Sequence, residues 1–334
     1  MRRAQRGARH QPCHGGVVGA RCAIGRRMSG VGRRKSGVGR RSTGPWPSSN
    51  TDAVVTAWLM SRLSQVEAEE RSGMARWLLE HFSGQGKGER MVADMRWHES
   101  QLDRLAVMAE RLNEGEPIQH ILGESWFDGL RLEVSPSVLI PRPETEELVA
   151  AMADKVADLE GSVRVADWCT GSGCMALAMK RRHPHAEVVG YEWSLEALEV
   201  AQSNARSTCM EVHWVHADAL HADQPETPFS VVMSNPPYIP AAERTTMHAR
   251  VTEHEPSMAL FVPDDDPLVF YRAIASWCAE GALVPGGWMG LECHTDKAHE
   301  VAGLLEAQAG WKLVDILHDL QGLPRHVVAR RMLP

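Results

Sequence analysis

Apolar residues recur along the chain with two different periods, and the change between them divides it. From Asp52 to about Gly115 the spacing is helical: Val55, Trp58, Leu59, Leu63 and Val66 fall at i, i+3, i+4 intervals, and Met74, Trp77, Leu78 and Phe82 repeat it. Ser100-x-x-Asp103 has the form of a capping box ahead of Leu105, Met108 and Leu112, and Gly115 offers a stop. The expectation is a small all-helical N-terminal domain over 51–115, with its aromatic stripes in the core. Residues 126–134 then alternate around Asp128-Gly129, which predicts a β-hairpin, expected as a linker within 116–140. A helix is predicted from about 144 to 157. From 163 onward short apolar runs alternate with helical segments. Strands are predicted at 163–167, 188–192, 211–216, 229–233, 288–292, 314–317 and 326–330, and helices at 172–183, 195–206 and 267–280. That alternation predicts an α/β fold, a doubly wound and mainly parallel sheet, over 141–334.

Charge changes the picture at the amino end. The first fifty residues hold 12 of the 36 Lys and Arg and no Asp or Glu, so the rest carries 24 basic against 43 acidic residues, a formal −19. Ser-Gly-Val-Gly-Arg-Arg occurs at 29–34 and again at 36–41. Such a segment buries no core, and 1–50 is expected to be a disordered basic extension. It has no apolar stretch of the secretory kind. An organellar transit peptide and a basic nucleic-acid tail are alternatives to the favoured reading, an upstream extension of little function with Met28 or a later codon as the start. The acidic remainder is a poor binder of phosphate backbones but suits a basic protein. No membrane span is expected. Seven scattered cysteines without a C-x-x-C argue against a disulfide framework or zinc site and for a reducing compartment. No histidine or carboxylate group has metal-ligand spacing; His183-x-His185 reads as a surface turn and Asp264-Asp265-Asp266 as a solvated loop.

The candidate chemistry sits where predicted strands end. Ser234-Asn235-Pro236-Pro237-Tyr238 follows the apolar run 229–233, and ligands of open α/β sheets bind beyond the carboxyl ends of strands. The Asn235 oxygen can accept from an NH2 group. Pro236 and Pro237 stiffen the loop and leave carbonyl acceptors, and Tyr238 offers a flat face. The set suits a planar NH2 group; a Pro-rich turn after a core strand is the plainer alternative. Asp167-Trp168-Cys169-Thr170-Gly171-Ser172-Gly173-Cys174 joins the first strand of the alternation to its helix. It lets a ligand approach a glycine turn and helix N-terminus, without the spacing of a dinucleotide or triphosphate loop. Glu192, 19 residues after Gly173, can accept from ribose hydroxyls, or is a surface Glu at a strand end. Asp218 can accept from an adenine amine beside the small Ala219. A nucleoside without a phosphate demand fits S-adenosylmethionine. Arg142, held between prolines, either meets a ligand carboxylate or pairs with a glutamate.

Taken together, Asp167-x-x-Thr170-Gly171-Ser172-Gly173, Glu192, Asp218 and Asn235-Pro236-Pro237-Tyr238 stand in the order of class I S-adenosylmethionine-dependent amino-methyltransferases. Glu116-Pro117-Ile118, Leu139-Ile140-Pro141-Arg142-Pro143-Glu144-Thr145-Glu146, Glu255-Pro256-x-x-Ala259-Leu260 and Asp319-Leu320-x-Gly322-x-x-Arg325 narrow the match. Over roughly 52–334 the chain resembles the peptide chain release factor N5-glutamine methyltransferases. The resemblance implies a seven-stranded methyltransferase sheet and a helical domain that binds substrate. It further implies methyl transfer from S-adenosylmethionine to the glutamine of the Gly-Gly-Gln motif of class I release factors, in the cytoplasm and as a monomer, without direct nucleic-acid contact. Asn235 and the Pro236 carbonyl would accept from the glutamine amide, Tyr238 would pack on it with Pro237 completing the corner, and Arg142 would assist. Asp167, Cys169, Thr170, Gly171, Ser172, Gly173, Glu192, Asp218, Ala219 and Asn235 would hold the cofactor. The chain departs from the family pattern at Trp168 (usually aliphatic), Cys169 (usually Gly), Glu192 (commonly Asp), the 261–267 loop and Glu292-Cys293-His294. Two other classes stay open on the residues alone: an adenine-N6 nucleic-acid methyltransferase, and a non-catalytic release-factor-binding protein with a degenerate cofactor loop.

Overall fold

The computed structural model describes residues 46–333; the basic extension, apart from 46–50, lies outside the described residues. The first elements are helices α1 (Asp52–Arg62), α2 (Ala68–Ser83), α3 (Lys87–Val92), α4 (Glu99–Asn113) and α5 (Ile118–Leu122). Their apolar faces meet in one cluster, with Val55 and Leu59 of α1, Leu78 and Leu79 of α2, and Leu102, Leu105, Ala109 and Leu112 of α4. The i, i+3, i+4 pattern therefore closes on itself. The Asp52 carboxylate accepts from Arg90 Nε at 2.9 Å and Trp97 Nε1 at 3.1 Å, tying the start of α1 to α3 and the start of α4.

Two expectations for this region need correction. The α4 helix begins before Ser100: the His98 N–H donates to Gln101 Oε1 at 3.0 Å, so the reach-back comes from Gln101 and Ser100-x-x-Asp103 lies inside the helix. Of the aromatic stripe, Trp58 and Phe82 pack against the cluster, but Trp77 is 42% exposed. Gly115 ends α4 as expected, at φ +88° with its N–H on the Leu112 carbonyl.

The hairpin pairs β1 (Glu124–Phe127) with β2 (Leu130–Glu133), and Asp128 and Gly129 both take positive φ, as the two-residue turn demands. It is more than a connector. Phe127, Leu130 and Leu132 enter the core of the following elements, and Asp128 accepts from Arg181 at 2.7 Å and Arg182 Nε at 3.0 Å. Burial pushes the Asp128 carboxyl up, but the two guanidiniums outweigh it and hold it below the usual range.

After α6 (Pro143–Ala157) come β3 (Arg164–Trp168), α7 (Cys174–Arg182), β4 (Glu187–Glu192), α8 (Leu195–Thr208), β5 (His213–His216), β6 (Phe229–Ser234) and the short β7 (Ile239–Pro240). Helices α9 (Ala249–Thr252) and α10 (Ser257–Leu260), strand β8 (Phe261–Val262), α11 (Val269–Trp277), β9 (Leu283–Glu292), α12 (Ala298–Ala307), β10 (Trp311–His318) and β11 (Pro324–Arg331) complete the chain. The main sheet has seven strands in the order β10-β11-β9-β6-β3-β4-β5. Strands β5, β4, β3, β6 and β9 are parallel; β11 runs antiparallel to its two neighbours, β9 and β10, so β10 has the direction of the other five. All seven strands predicted for this sheet are present; β9 starts earlier than expected. The predicted helix 267–280 stops at Trp277, where a π turn follows with Gly281 at φ 147°. One apolar cluster lies under α11 and α12, the other under α6 and α7. Strand order reverses at β3, between β4 and β6, so the loops after β3 and β6 part and leave a crevice at the carboxyl ends. Among the described residues no helix is long and apolar enough to cross a membrane.

Candidate active site

That crevice is a cavity of about 480 Å³. Its walls include Trp168, Cys169, Thr170, Gly171 and Ser172 after β3, Tyr191 and Glu192 at the end of β4, Asp218 and Ala219 after β5, and Asn235 and Pro237 after β6. Leu139, Arg142, Met258, Phe261, Pro263 and Phe270 close the far side. Trp168 is buried and stacks on Tyr191, ring centroids 4.4 Å apart and 17° off parallel. The aromatic replacement in the first strand thus forms a rigid apolar floor.

The residues expected at the cofactor divide into those that line the cavity and those that prop its walls. Gly171 lines it, at φ +54°, with open space where a Cβ would stand. Ser172 is buried there too, its hydroxyl beside the Cys174 thiol and without a nitrogen or oxygen partner. Asp167 does not line the cavity. It is fully buried beneath the turn, where its Oδ2 accepts from Thr170 Oγ1 at 2.5 Å and the Ala176 N–H at 2.9 Å, while Oδ1 has no partner. Burial pushes its carboxyl up to about 7. Gly173 is likewise set by packing: a Cβ there would lie 2.8 Å from the Trp214 ring. Cys169 adopts φ +58°, a left-handed conformation that favours glycine; burial raises its thiol well above the ordinary range.

Glu192 is more committed than expected. Its Oε2 accepts from the Gly171 N–H at 3.0 Å, and its Oε1 from the Trp193 and Ser194 N–H groups at 2.9 Å each. Three of a carboxylate's roughly four lone-pair positions are therefore in use. Asp218 accepts from the Leu220 N–H and His221 Nδ1, both at 2.9 Å. Burial raises its carboxyl, but those bonds prevail and leave it below the usual range.

A second cavity of about 330 Å³ adjoins the first. Tyr238, Ile239, Met247, Val251, Glu144, Glu292 and Arg325 line it, and it shares Leu139, Arg142, Asn235 and Ala259 with its neighbour. Asn235 thus stands in a wall common to both. Pro236 and Pro237 are buried, Asn235 and Tyr238 half-buried. The motif is braced from below: β7 pairs with β8, and the Ala242 N–H donates to Asp264 Oδ1 at 2.8 Å. The Asp264-Asp265-Asp266 loop is largely exposed, as expected of a solvated loop, and Asp266 pairs with Arg272 at 2.9 Å on its surface.

Arg142 has a glutamate partner: it is ion-paired with Glu255, which is buried and also accepts the Ile140 N–H at 3.0 Å, and the same guanidinium side chain lines both cavities. Two residues without a role at the sequence level meet the motif directly. Asn235 Nδ2 donates to Thr145 Oγ1 at 3.2 Å, and Thr145 Oγ1 donates to Glu292 Oε2 at 2.6 Å. The Tyr238 hydroxyl lies 3.4 Å from Glu292 Oε1. Burial pushes Glu292 up to about 7 and the Tyr238 phenol well above its ordinary value. The available signal for Glu292 was a carboxylate closing an otherwise apolar strand.

A methyltransferase small domain model matches residues 145–255, and a PrmC N-terminal domain model matches 55–123. The release factor glutamine methyltransferase of Bacteroides thetaiotaomicron is 38% identical over 222 residues, 66% of this chain and 78% of its own. That of Deinococcus radiodurans is 35% identical over 278 residues, 81% and 95% of the two chains. That of Neisseria gonorrhoeae is 37% identical over 284 residues, 82% and 97%. With most of the helical segment and the Asn-Pro-Pro-Tyr corner within the residues the two models match, and with relatives 35–38% identical over about two thirds or more of both chains, the chain belongs to the release factor glutamine methyltransferase family.

Proposed function

We propose that this protein transfers the methyl group of S-adenosylmethionine to the side-chain amide nitrogen (N5) of the glutamine in the Gly-Gly-Gln motif of class I peptide chain release factors. The observation that carries this is the place of Asn235, in the wall between the two cavities. The larger cavity fits the cofactor chemically: an apolar floor, two acidic side chains and an open glycine turn suit a nucleoside bearing a positive centre. Cys169, Thr170, Gly171 and Ser172 would pass beneath it, Glu192 would take a ribose hydroxyl on its remaining lone pair, and Asp218 with Ala219 would receive the adenine edge. Asp167 and Gly173 would serve by holding the turn. When bound, S-adenosylmethionine supplies a methyl group on a sulfonium, a good leaving group.

The chain's own task is positioning. An amide nitrogen is a weak nucleophile because its lone pair is delocalised. Asn235 Oδ1 and the Pro236 carbonyl accept the two hydrogens of the glutamine NH2, which aims the nitrogen at the methyl carbon, about 3–3.5 Å away in a reactive approach. The same acceptors stabilise positive charge developing on nitrogen. The Tyr238 ring covers the amide plane, and the buried Pro236 and Pro237 keep the corner stiff. Arg142 acts through Glu255, shaping the mouth.

The helical segment 51–115 would receive the body of the release factor, 116–140 would connect it, and 141–334 would carry the transfer. Exposed Trp77 and Trp126, at 42% and 67%, edge a further groove there and suit protein contact. The acidic charge beyond residue 50 favours a basic protein surface over a nucleic acid. A cytoplasmic monomer fits this role. The test is mass spectrometry of the release-factor Gly-Gly-Gln peptide after incubation with protein and cofactor. A single added methyl on the glutamine is expected; an unmodified peptide despite bound cofactor overturns the reading.

A further inference from the structure

An asparagine side chain has two unlike ends of nearly the same shape: the oxygen only accepts and the NH2 only donates. To meet a substrate NH2, Asn235 must turn its oxygen outward. What decides the turn is a relay behind it. We infer that Thr145 and Glu292 are positioning residues for the transfer, setting which end of the Asn235 amide faces the substrate. This rests on the glutamine-methylation reading proposed above.

The hydroxyl of Thr145 carries a single proton. That proton is committed to Glu292 Oε2 at 2.6 Å, because an ionised carboxylate can only accept. Toward Asn235, 3.2 Å away, the hydroxyl therefore presents a lone pair. The lone pair welcomes the NH2 end and repels the oxygen end, so Oδ1 is left for the cavity. The other carboxylate oxygen, Oε1, lies 3.4 Å from the Tyr238 hydroxyl, so one carboxylate orders both polar members of the motif. Thr145 and Glu292 are 2% and 1% exposed, which limits the competition from water.

Topology brings the three together. Strand β9 lies parallel beside β6 with Leu291 opposite Ser234, so Glu292 and Asn235 follow at neighbouring strand ends. Thr145 sits in the first turn of α6, which approaches β9 closely at Gly290: a Cβ there would stand 2.5 Å from Met152 Sδ and 3.0 Å from Leu148 Cδ1.

The relay also has an off state. Burial raises Glu292 to about 7, with Glu144 adding to the shift and Arg325 and the bonds from Thr145 and Tyr238 opposing it. Tyr271, whose hydroxyl donates to the Glu292 backbone carbonyl, Cys293, Cys174, and His326 across the β9–β11 pairing are its other titratable neighbours. Once protonated, Glu292 can donate to Thr145, whose own proton is then free to turn toward Asn235. The lock is lost, and turnover falls as pH drops through about 7.

The test uses the full chain with S-adenosylmethionine and intact release factor. Thr145→Val keeps the shape and removes the hydroxyl: kcat should fall roughly a hundredfold, the scale of a misplaced reacting group, with cofactor affinity by calorimetry unchanged. Thr145→Ser should recover most of the loss. Glu292→Gln should lower kcat and abolish the acid limb near pH 7. A wild-type protein that leaves the release factor unmodified defeats the underlying reading instead. Methylating wild type with Thr145→Val equally active, or Thr145→Ser no better than Thr145→Val, overturns the relay. Should Thr145→Val bind no cofactor, the profile of Glu292→Gln decides, and an acid limb that persists in it overturns the inference.

Discussion

Arg142 and Glu255, 113 residues apart in sequence, are joined in an ion pair whose arginine lines both cavities. The Glu255 side chain is 1% exposed and that of Arg142 33%. Removing one partner of such a pair strands a buried charge. Arg142→Ala should therefore destabilise the protein by about 2–3 kcal/mol, read by urea unfolding without any ligand. Unchanged stability would mean that Arg142 serves the substrate alone.

Asn235→Ala should reduce turnover by roughly 10²–10³-fold, the usual loss on deleting a preorganised group at a charge-developing centre. Binding of S-adenosylmethionine should persist, since the turn after β3 and the ends of β4 and β5 form most of that wall. Calorimetry beside single-turnover methylation separates the two. Normal turnover by this variant would remove Asn235 from the mechanism.

Cys169 at φ +58° holds a Cβ in the left-handed region, which costs roughly 1–2 kcal/mol. The usual order of substitutions should therefore invert: Cys169→Gly should be at least as stable as Cys169→Ala, by about 1 kcal/mol. Thermal unfolding of the two variants checks it, and an alanine variant clearly the more stable would count against strain at this turn.

Asp167 and Glu292 are both raised to about 7 by burial. The folded form keeps these protons where the unfolded chain has lost them. The stability they contribute is full below about 4 and is lost as pH rises through about 7. Asp167→Asn and Glu292→Gln do not ionise. Their stability relative to wild type should therefore grow from about pH 5 to about pH 8, measured by thermal unfolding without cofactor. A difference that stays constant across that range would contradict the raised carboxyls.

Trp77→Ser with Trp126→Ser should raise KM for intact release factor while leaving methylation of a short Gly-Gly-Gln peptide unaltered, because both rings are exposed and neither lines the transfer cavities. Equal effects on the two substrates would remove the helical segment from substrate binding.

Much of this protein was legible along the chain because it depends on near neighbours. Helical spacing of Val55, Leu59 and Leu63, the Asp128-Gly129 turn, the alternation after 163, and a polar corner at the end of an apolar run are all set within a few residues. From these came the sheet, the glycine turn and the Asn-Pro-Pro-Tyr corner at strand ends. Which polar groups face the cavity is a different matter, decided by strand order and helix approach. Asp167 ends beneath its turn because α7 offers it the Ala176 N–H, and Gly173 is required because Trp214 crosses above it. Glu292 reaches Asn235 only because β9 pairs with β6, and Thr145 joins them because Gly290 admits α6. Local pattern specifies the elements; the side-chain partners across them exist only once distant strands lie side by side and water is excluded from between them.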